Sequence, residues 1–146
     1  MDTSDFDGFL KQYHLALVEI TNGKSDLYKK LLSRREDVTL ANPFAPFGPV
    51  SRGWAQVSET LERAASNYSD GQLTGVENVS KYLTADLAYI VEVERFKAKV
   101  GGRGDLASIA LRVTTVLRPE KGVWKVVHRH ADPITSARLA ESVLDE

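Results

Sequence analysis

The feature that leaves this chain fewest ways to fold is a change of hydrophobic period near residue 70. Before it, apolar residues recur every three to four positions; after it they alternate or run on in extended stretches. The extended runs cover 73–83, 86–99, 107–118 and 122–132. Between them lie Thr84-Ala85-Asp86, Gly101-Gly102-Arg103-Gly104-Asp105 and Pro119-Glu120-Lys121-Gly122. Connections this short join antiparallel neighbours, because a parallel crossover needs a dozen or more residues. Helices first and strands after give an α+β chain, in which one curved sheet carries the helices on its inner face.

The helical half is punctuated as clearly. Residues 5–21 place Phe6, Phe9, Leu10, Tyr13, Leu17 and Ile20 on one stripe. Ser4 or Asp5 is expected to cap that helix, and Asn22-Gly23 to stop it. A short second helix is expected from Ser25 to about Ser33, then a brief strand, Val38 to Ala41. Asn42-Pro43 ends that strand, since proline cannot donate to a ladder. A proline-rich loop carrying Phe44 and Phe47 follows. A third helix is expected from a Ser51 cap to about Tyr68, burying Trp54, Val57, Leu61, Ala64, Ala65 and Tyr68. The tail from Ser136 is read as a last helix with Leu139, Ala140 and Val143 as its apolar side.

At 146 residues the chain suits one domain. A net charge of −1 gives no electrostatic reason to expect nucleic acid or an anionic membrane as partner. No apolar run approaches a membrane span, and the acidic start, MDTSDFDGF, lacks the pattern of a secretory signal. The absence of cysteine removes disulfides, thiolate nucleophiles and thiolate metal sites, and a cytoplasmic setting is the expectation. Asn22-Gly23-Lys24-Ser25 lacks the earlier glycine of a phosphate loop, since Val18 stands there. Arg103-Gly104-Asp105 reads as a hairpin turn.

Several strands are apolar on both faces: Ile109, Leu111 and Val113 against Ala110 and Val116, and Val126 beside Val127. A sheet covered on one side should be polar on the other. The second apolar face therefore calls for a cover, and a homodimer through the sheet is the expectation, with the C-terminal helix as the alternative.

The element order resembles that of the cone-shaped α+β domains related to nuclear transport factor 2, and within them the SnoaL-like group. The resemblance covers nearly the whole chain. It rests on Ala85-Asp86-Leu87-Ala88-Tyr89, on Leu111-Arg112-Val113-Thr114, and above all on Gly122-Val123-Trp124-Lys125-Val126-Val127-His128-Arg129-His130. The last stretch is also similar to the hub domain of calmodulin-dependent kinase II, although the arginine that follows His-x-His there is replaced by Ala131-Asp132. The resemblance implies a conical pocket between three helices and a concave sheet. It also implies a steroid-isomerase comparison, in which Tyr13 matches a helix tyrosine and Asn42, before Pro43, stands where a relative keeps an aspartate base. An amide cannot abstract a proton at neutral pH, which speaks against that chemistry.

From the residues themselves, His128 and His130 are the candidate catalytic pair, because strand neighbours two apart share a face and imidazole titrates near working pH. Structural hydrogen bonds are their alternative role, and Asp132 extends the same face. Arg112 interrupts an apolar run and needs a partner; Glu92 and Glu94 on the preceding strand are the expected ones, as a polar pocket floor or a structural ion pair. Tyr13, Asn42, Phe44, Phe47, Trp54, Glu92 and Arg112 form the candidate ligand-binding set. No cofactor or metal is expected, since His14 is remote in sequence and metal spacing is lacking. The functional expectation is a pocket protein for a small, largely apolar organic molecule. It is either a metal-independent acid–base enzyme such as an isomerase, cyclase or dehydratase, or a non-catalytic homodimerisation or ligand-sensing module.

Overall fold

A computed structural model describes residues 3–44, 46–133 and 137–145. Three α-helices are described, α1 (Thr3–Ile20), α2 (Asp26–Leu31) and α3 (Gly53–Ser66). The strands are β1 (Thr39–Ala41), β2 (Ser51–Arg52), β3 (Tyr68–Leu83), β4 (Ala88–Val100), β5 (Ala107–Glu120) and β6 (Val123–Pro133). They form one mixed sheet in the order β2-β1-β6-β5-β4-β3, in which β1 runs parallel to β6. The α+β cone expected from the sequence is the observed architecture.

The long strands form where alternation is cleanest. Along β4, Ala88, Ile90, Glu92, Glu94, Phe96 and Ala98 are buried, while Tyr89, Arg95 and Lys97 point to the other face. The buried row meets Phe6, Phe9, Tyr13 and Leu17 of α1, with Tyr28 of α2 and Val57 and Leu61 of α3, in one core. Lys121 and Gly122 both take positive φ, 52° and 80°. That is the two-residue hairpin turn whose twist matches its strands, and it sets the β5–β6 register.

Asn22 does more than stop α1. Its side chain donates to Gly71 O (3.1 Å) and accepts from Gly71 N–H (3.2 Å), clamping the start of β3 to the helix end. Gly71 lies so close to Thr21 that a Cβ there would overlap its side chain.

Some local expectations are corrected. The first helix is described from Thr3, so Ser4 and Asp5 lie within it. Ser51 belongs to β2, and its hydroxyl meets Thr60 Oγ1 at 2.6 Å in the core; the start of α3 is tied instead by Gln56, which accepts the Arg52 N–H at 3.0 Å. The third strand begins at Tyr68, several residues before the expected start, because its first turns alternate less clearly. Ser136, read as the start of a tail helix, lies outside the described residues. What is described of that tail is a short 3-10 turn, Ala140–Val143. Leu139 and Val143 are 79% and 85% exposed there, so neither covers the sheet.

The decisive irregularity is in β6. Leu117 pairs with Val126 but Val116 pairs with His128, so Val127 is an extra residue on that strand. Such a bulge exchanges the two faces for everything beyond it. Trp124 and Val126 face the helices before the bulge; after it Arg129 and Ala131 do, and His128 and His130 are turned to the outer face.

Candidate functional site

The concave side of the sheet holds a cavity of about 70 Å³. Leu17 and Ile20 of α1, Leu61 and Ala64 of α3, and Phe96, Ile109 and Leu111 of the sheet supply its apolar wall. Asn42, Pro43 and Phe44 line it from the β1–β2 loop, with Phe44 packed edge-on against Tyr68 at 6.1 Å between ring centres. Asn42 Oδ1 accepts the Phe44 N–H at 2.8 Å, a local turn that holds the aromatic ring in place. Among the described residues, the one charged group in the lining is Arg129.

Arg129 is 8% exposed and is held in a fork. Its Nη1 and Nη2 donate to the two carboxylate oxygens of Glu94, each at 2.8 Å, and Nη1 also donates to the Tyr13 hydroxyl at 2.7 Å. Tyr13 Oη in turn lies 2.6 Å from Thr115 Oγ1. Glu94 has no exposed surface. Burial alone would favour a neutral guanidinium, but the Glu94 carboxylate more than offsets it, and Arg129 is held charged well beyond its ordinary range. Burial pushes the Tyr13 and Tyr28 phenols up, Tyr28 the more strongly, so both are neutral donors at neutral pH. The Tyr28 hydroxyl is fully buried beside Tyr13, whose ring centre lies 5.6 Å from that of Tyr28.

The expected site residues separate into groups. Tyr13 and Asn42 come to the cavity region, as does Phe44; the first is a support for Arg129 and the other two line the wall. Phe47 is 41% exposed, and Trp54 packs at the edge of the core beneath the Arg34 guanidinium, 4.4 Å from its ring centre. Glu92 is buried on the concave face, where His14 Nε2 lies 3.0 Å from its Oε1, away from the cavity lining. The pairing of Arg112 with Glu92 and Glu94 is overturned. Arg112 stands opposite Val93 and Asp132 on the outer face, because odd positions of β5 face inward and Arg112 is even. The cation that Glu94 does bind, Arg129, went unread between two histidines.

His128 and His130 share a face, with ring centres 6.4 Å apart, but it is the outer one. His128 Nδ1 lies 2.8 Å from Thr39 Oγ1, so it stitches the parallel β1 to β6. Partial burial, and then the neighbouring His130, hold its pKa below the ordinary histidine value. His130 Nε2 lies 3.2 Å from Asp132 Oδ2, both about half exposed. Among the described residues, no three His, Asp or Glu side chains are placed to share a metal ion, and no helix is long and apolar enough to cross a membrane.

The model of the SnoaL-like domain matches residues 9–135. This chain belongs to the SnoaL-like domain family. No curated protein matches it. The fold of this SnoaL-like chain recurs in a nuclear transport factor 2-like superfamily protein from Salmonella enterica serovar Typhimurium. That protein has a TM-score of 0.75 and 16% identity, over 95% of this chain and 97% of that one. It recurs in a ketosteroid isomerase-like protein from Erwinia carotovora atroseptica, with a TM-score of 0.64 and 15% identity over 91% and 93% of the two chains. The CaMKII hub of S. rosetta is similar as well, with a TM-score of 0.64 and 19% identity over 86% and 93%. At these identities the likeness concerns the fold, which serves unrelated functions.

Proposed function

We propose that this SnoaL-like chain is a small-molecule-binding protein whose working site is the concave cavity at Arg129. The observation that carries the reading is the cavity's composition: apolar walls, one buried arginine whose charge is balanced by its ion pair with Glu94, and the Tyr28 and Tyr68 rings. Such a lining suits a largely apolar organic molecule oriented by a few polar groups. It also favours binding over acid–base catalysis. Arg129 keeps its proton, Tyr13 and Tyr28 keep theirs, Asn42 is an amide, and Glu94 is committed to Arg129. The imidazoles proposed from sequence as proton carriers are on the other side of the sheet. Leu61→Trp fills the cavity from α3. Isothermal titration with small aromatic molecules should show binding to the wild type that Leu61→Trp abolishes; equal binding by both proteins would overturn the reading.

A homodimer through the outer sheet face is proposed alongside it. Val91, Val93, Ala110, Thr114 and Val116 lie side by side there, partly covered by the sheet alone. Val93→Lys should shift a sedimenting dimer to monomer, and a wild-type monomer at high concentration would remove the proposal.

A further inference from the structure

The outer face of the sheet carries a more specific statement, which rests on the homodimer proposed above. His128 stands between Thr39 of β1 and Val116 of β5, and His130 between Ala41 and Thr114. Val116 and Thr114 in turn stand beside Tyr89 and Val91 of β4. Tyr89 and Tyr82, both exposed and stacked with ring centres 5.7 Å apart, continue the same row to the sheet edge. The two imidazoles therefore border directly on the apolar field that a second copy would cover. By strand spacing and rise, Thr114 is about 5 Å from His130 and about 8 Å from His128. A standard interface takes about 800 Å² from each partner, the area of a disc of about 16 Å radius. Centred on Thr114, such a footprint cannot leave either histidine out.

The charged groups around the pair are mostly basic. On β6, Asp132 Oδ2 lies 3.2 Å from His130 Nε2, and Lys125 is bonded to Lys30 O at 2.8 Å. On β5, Arg112 stands directly opposite Asp132, and Arg118 is paired with Asp37 and Glu120. The adjoining β1 brings only Thr39 and Ala41, and beyond it Arg52 of β2 is level with Thr39. Farther across, Arg95 of β4 and Glu77 of β3 are opposite in sign. One carboxylate, Asp132, thus serves two imidazoles and faces Arg112 as well. Two imidazolium ions stripped of water against a second copy would leave charge unbalanced on each side. We infer that the outer face pairs with a second copy only while His128 and His130 are neutral, so that the homodimer comes apart on mild acidification. Partial burial, and then His130, already hold the His128 pKa below its ordinary value in the single chain. Covering the face lowers it further, so the stability of the dimer is present above the monomer's value and is lost as pH falls through it.

Sedimentation velocity at about pH 7.5 and about pH 5.5, with far-UV circular dichroism on the same samples, reads the assembly. The wild type should be a dimer at the higher pH. At the lower pH its self-association should be at least about tenfold weaker with its secondary structure unchanged. The double variant His128→Gln, His130→Gln, which cannot take up these protons, should dimerise alike at both. A wild-type dimer equally tight at both values overturns the inference and leaves the homodimer standing. A double variant that dissociates on acidification as the wild type does has the same meaning. A wild-type monomer at both values removes the homodimer and this inference with it. A second reading needs no variant and stays near neutral pH. Imidazole resonances titrated at protein concentrations below and above the dissociation constant should show lower midpoints for His128 and His130 in the dimer, and equal midpoints overturn the inference.

Discussion

Replacing Arg129 by methionine should be the most damaging single change at the site, and the damage should be largely repaired by a second replacement. In the wild type Arg129 makes three short hydrogen bonds, two of them to a carboxylate with no exposed surface. Arg129→Met keeps an apolar body of similar length and leaves Glu94 buried without its counter-charge. Breaking a buried pair from one side costs about 3–5 kcal/mol. Counting about 1.5–3 kcal/mol for each of the two hydrogen bonds to the carboxylate gives about 3–6 kcal/mol, an overlapping range. For a chain of this size, about 4 kcal/mol lowers the melting temperature by roughly 8–16 °C, a large share of the roughly 5–15 kcal/mol that holds a domain folded. Glu94→Leu should cost a similar amount by stranding Arg129. The double variant, with neither charge, should recover most of the loss, because well-packed apolar groups replace a buried ion pair at little or no cost. Urea unfolding followed by circular dichroism, on all four proteins, measures the cycle. A double variant as unstable as the sum of the singles would mean that Arg129 and Glu94 act independently, and the account of the cavity floor would be wrong.

Two further outcomes follow from the outer face and the strand start. The His128 pKa is depressed in the fold, so on acidification the unfolded chain takes up the proton first and stability falls as pH drops below about 6.5 toward the folded value. His128→Gln should flatten that part of a pH–stability profile, and an unchanged slope between pH 7 and 5 would contradict it. Gly71→Ala should destabilise by about 1–3 kcal/mol, since the added methyl meets the Thr21 side chain. Pairing it with Thr21→Ala should return part of the loss in thermal melts; no recovery would place the cause elsewhere.

The fold was legible because the sequence states it twice, in period and in punctuation. The stripe of Phe6, Phe9, Tyr13 and Leu17 and the Lys121-Gly122 turn are where pattern and turn chemistry required them. The parallel β1–β6 pairing was not legible, because three residues carry no register signal and the pairing is fixed by side chains such as Thr39 and His128. Two readings of the site failed through parity. Arg112 was expected to meet Glu92 and Glu94, but antiparallel register puts Val113 and Leu111 opposite them. Arg129 was passed over because its neighbours are histidines. The signal that could have found it is the doubled apolar pair Val126-Val127: two consecutive valines in an alternating strand mark a bulge, and past a bulge the inward set changes from even to odd. The outward turn of His128 and His130 follows from the same extra residue.

The account's central claim is that a ligand is received in the concave cavity at Arg129 and not on the His-x-His face. Acetophenone titrated into isotopically labelled protein tests it directly, with resonances followed for the Arg129 Nε–H, the Leu61 methyls, and the His128 and His130 imidazoles. The account predicts saturable shifts at Arg129 and Leu61 with the imidazoles unmoved. Shifts gathered on His128 and His130, with Arg129 and Leu61 silent, would contradict it.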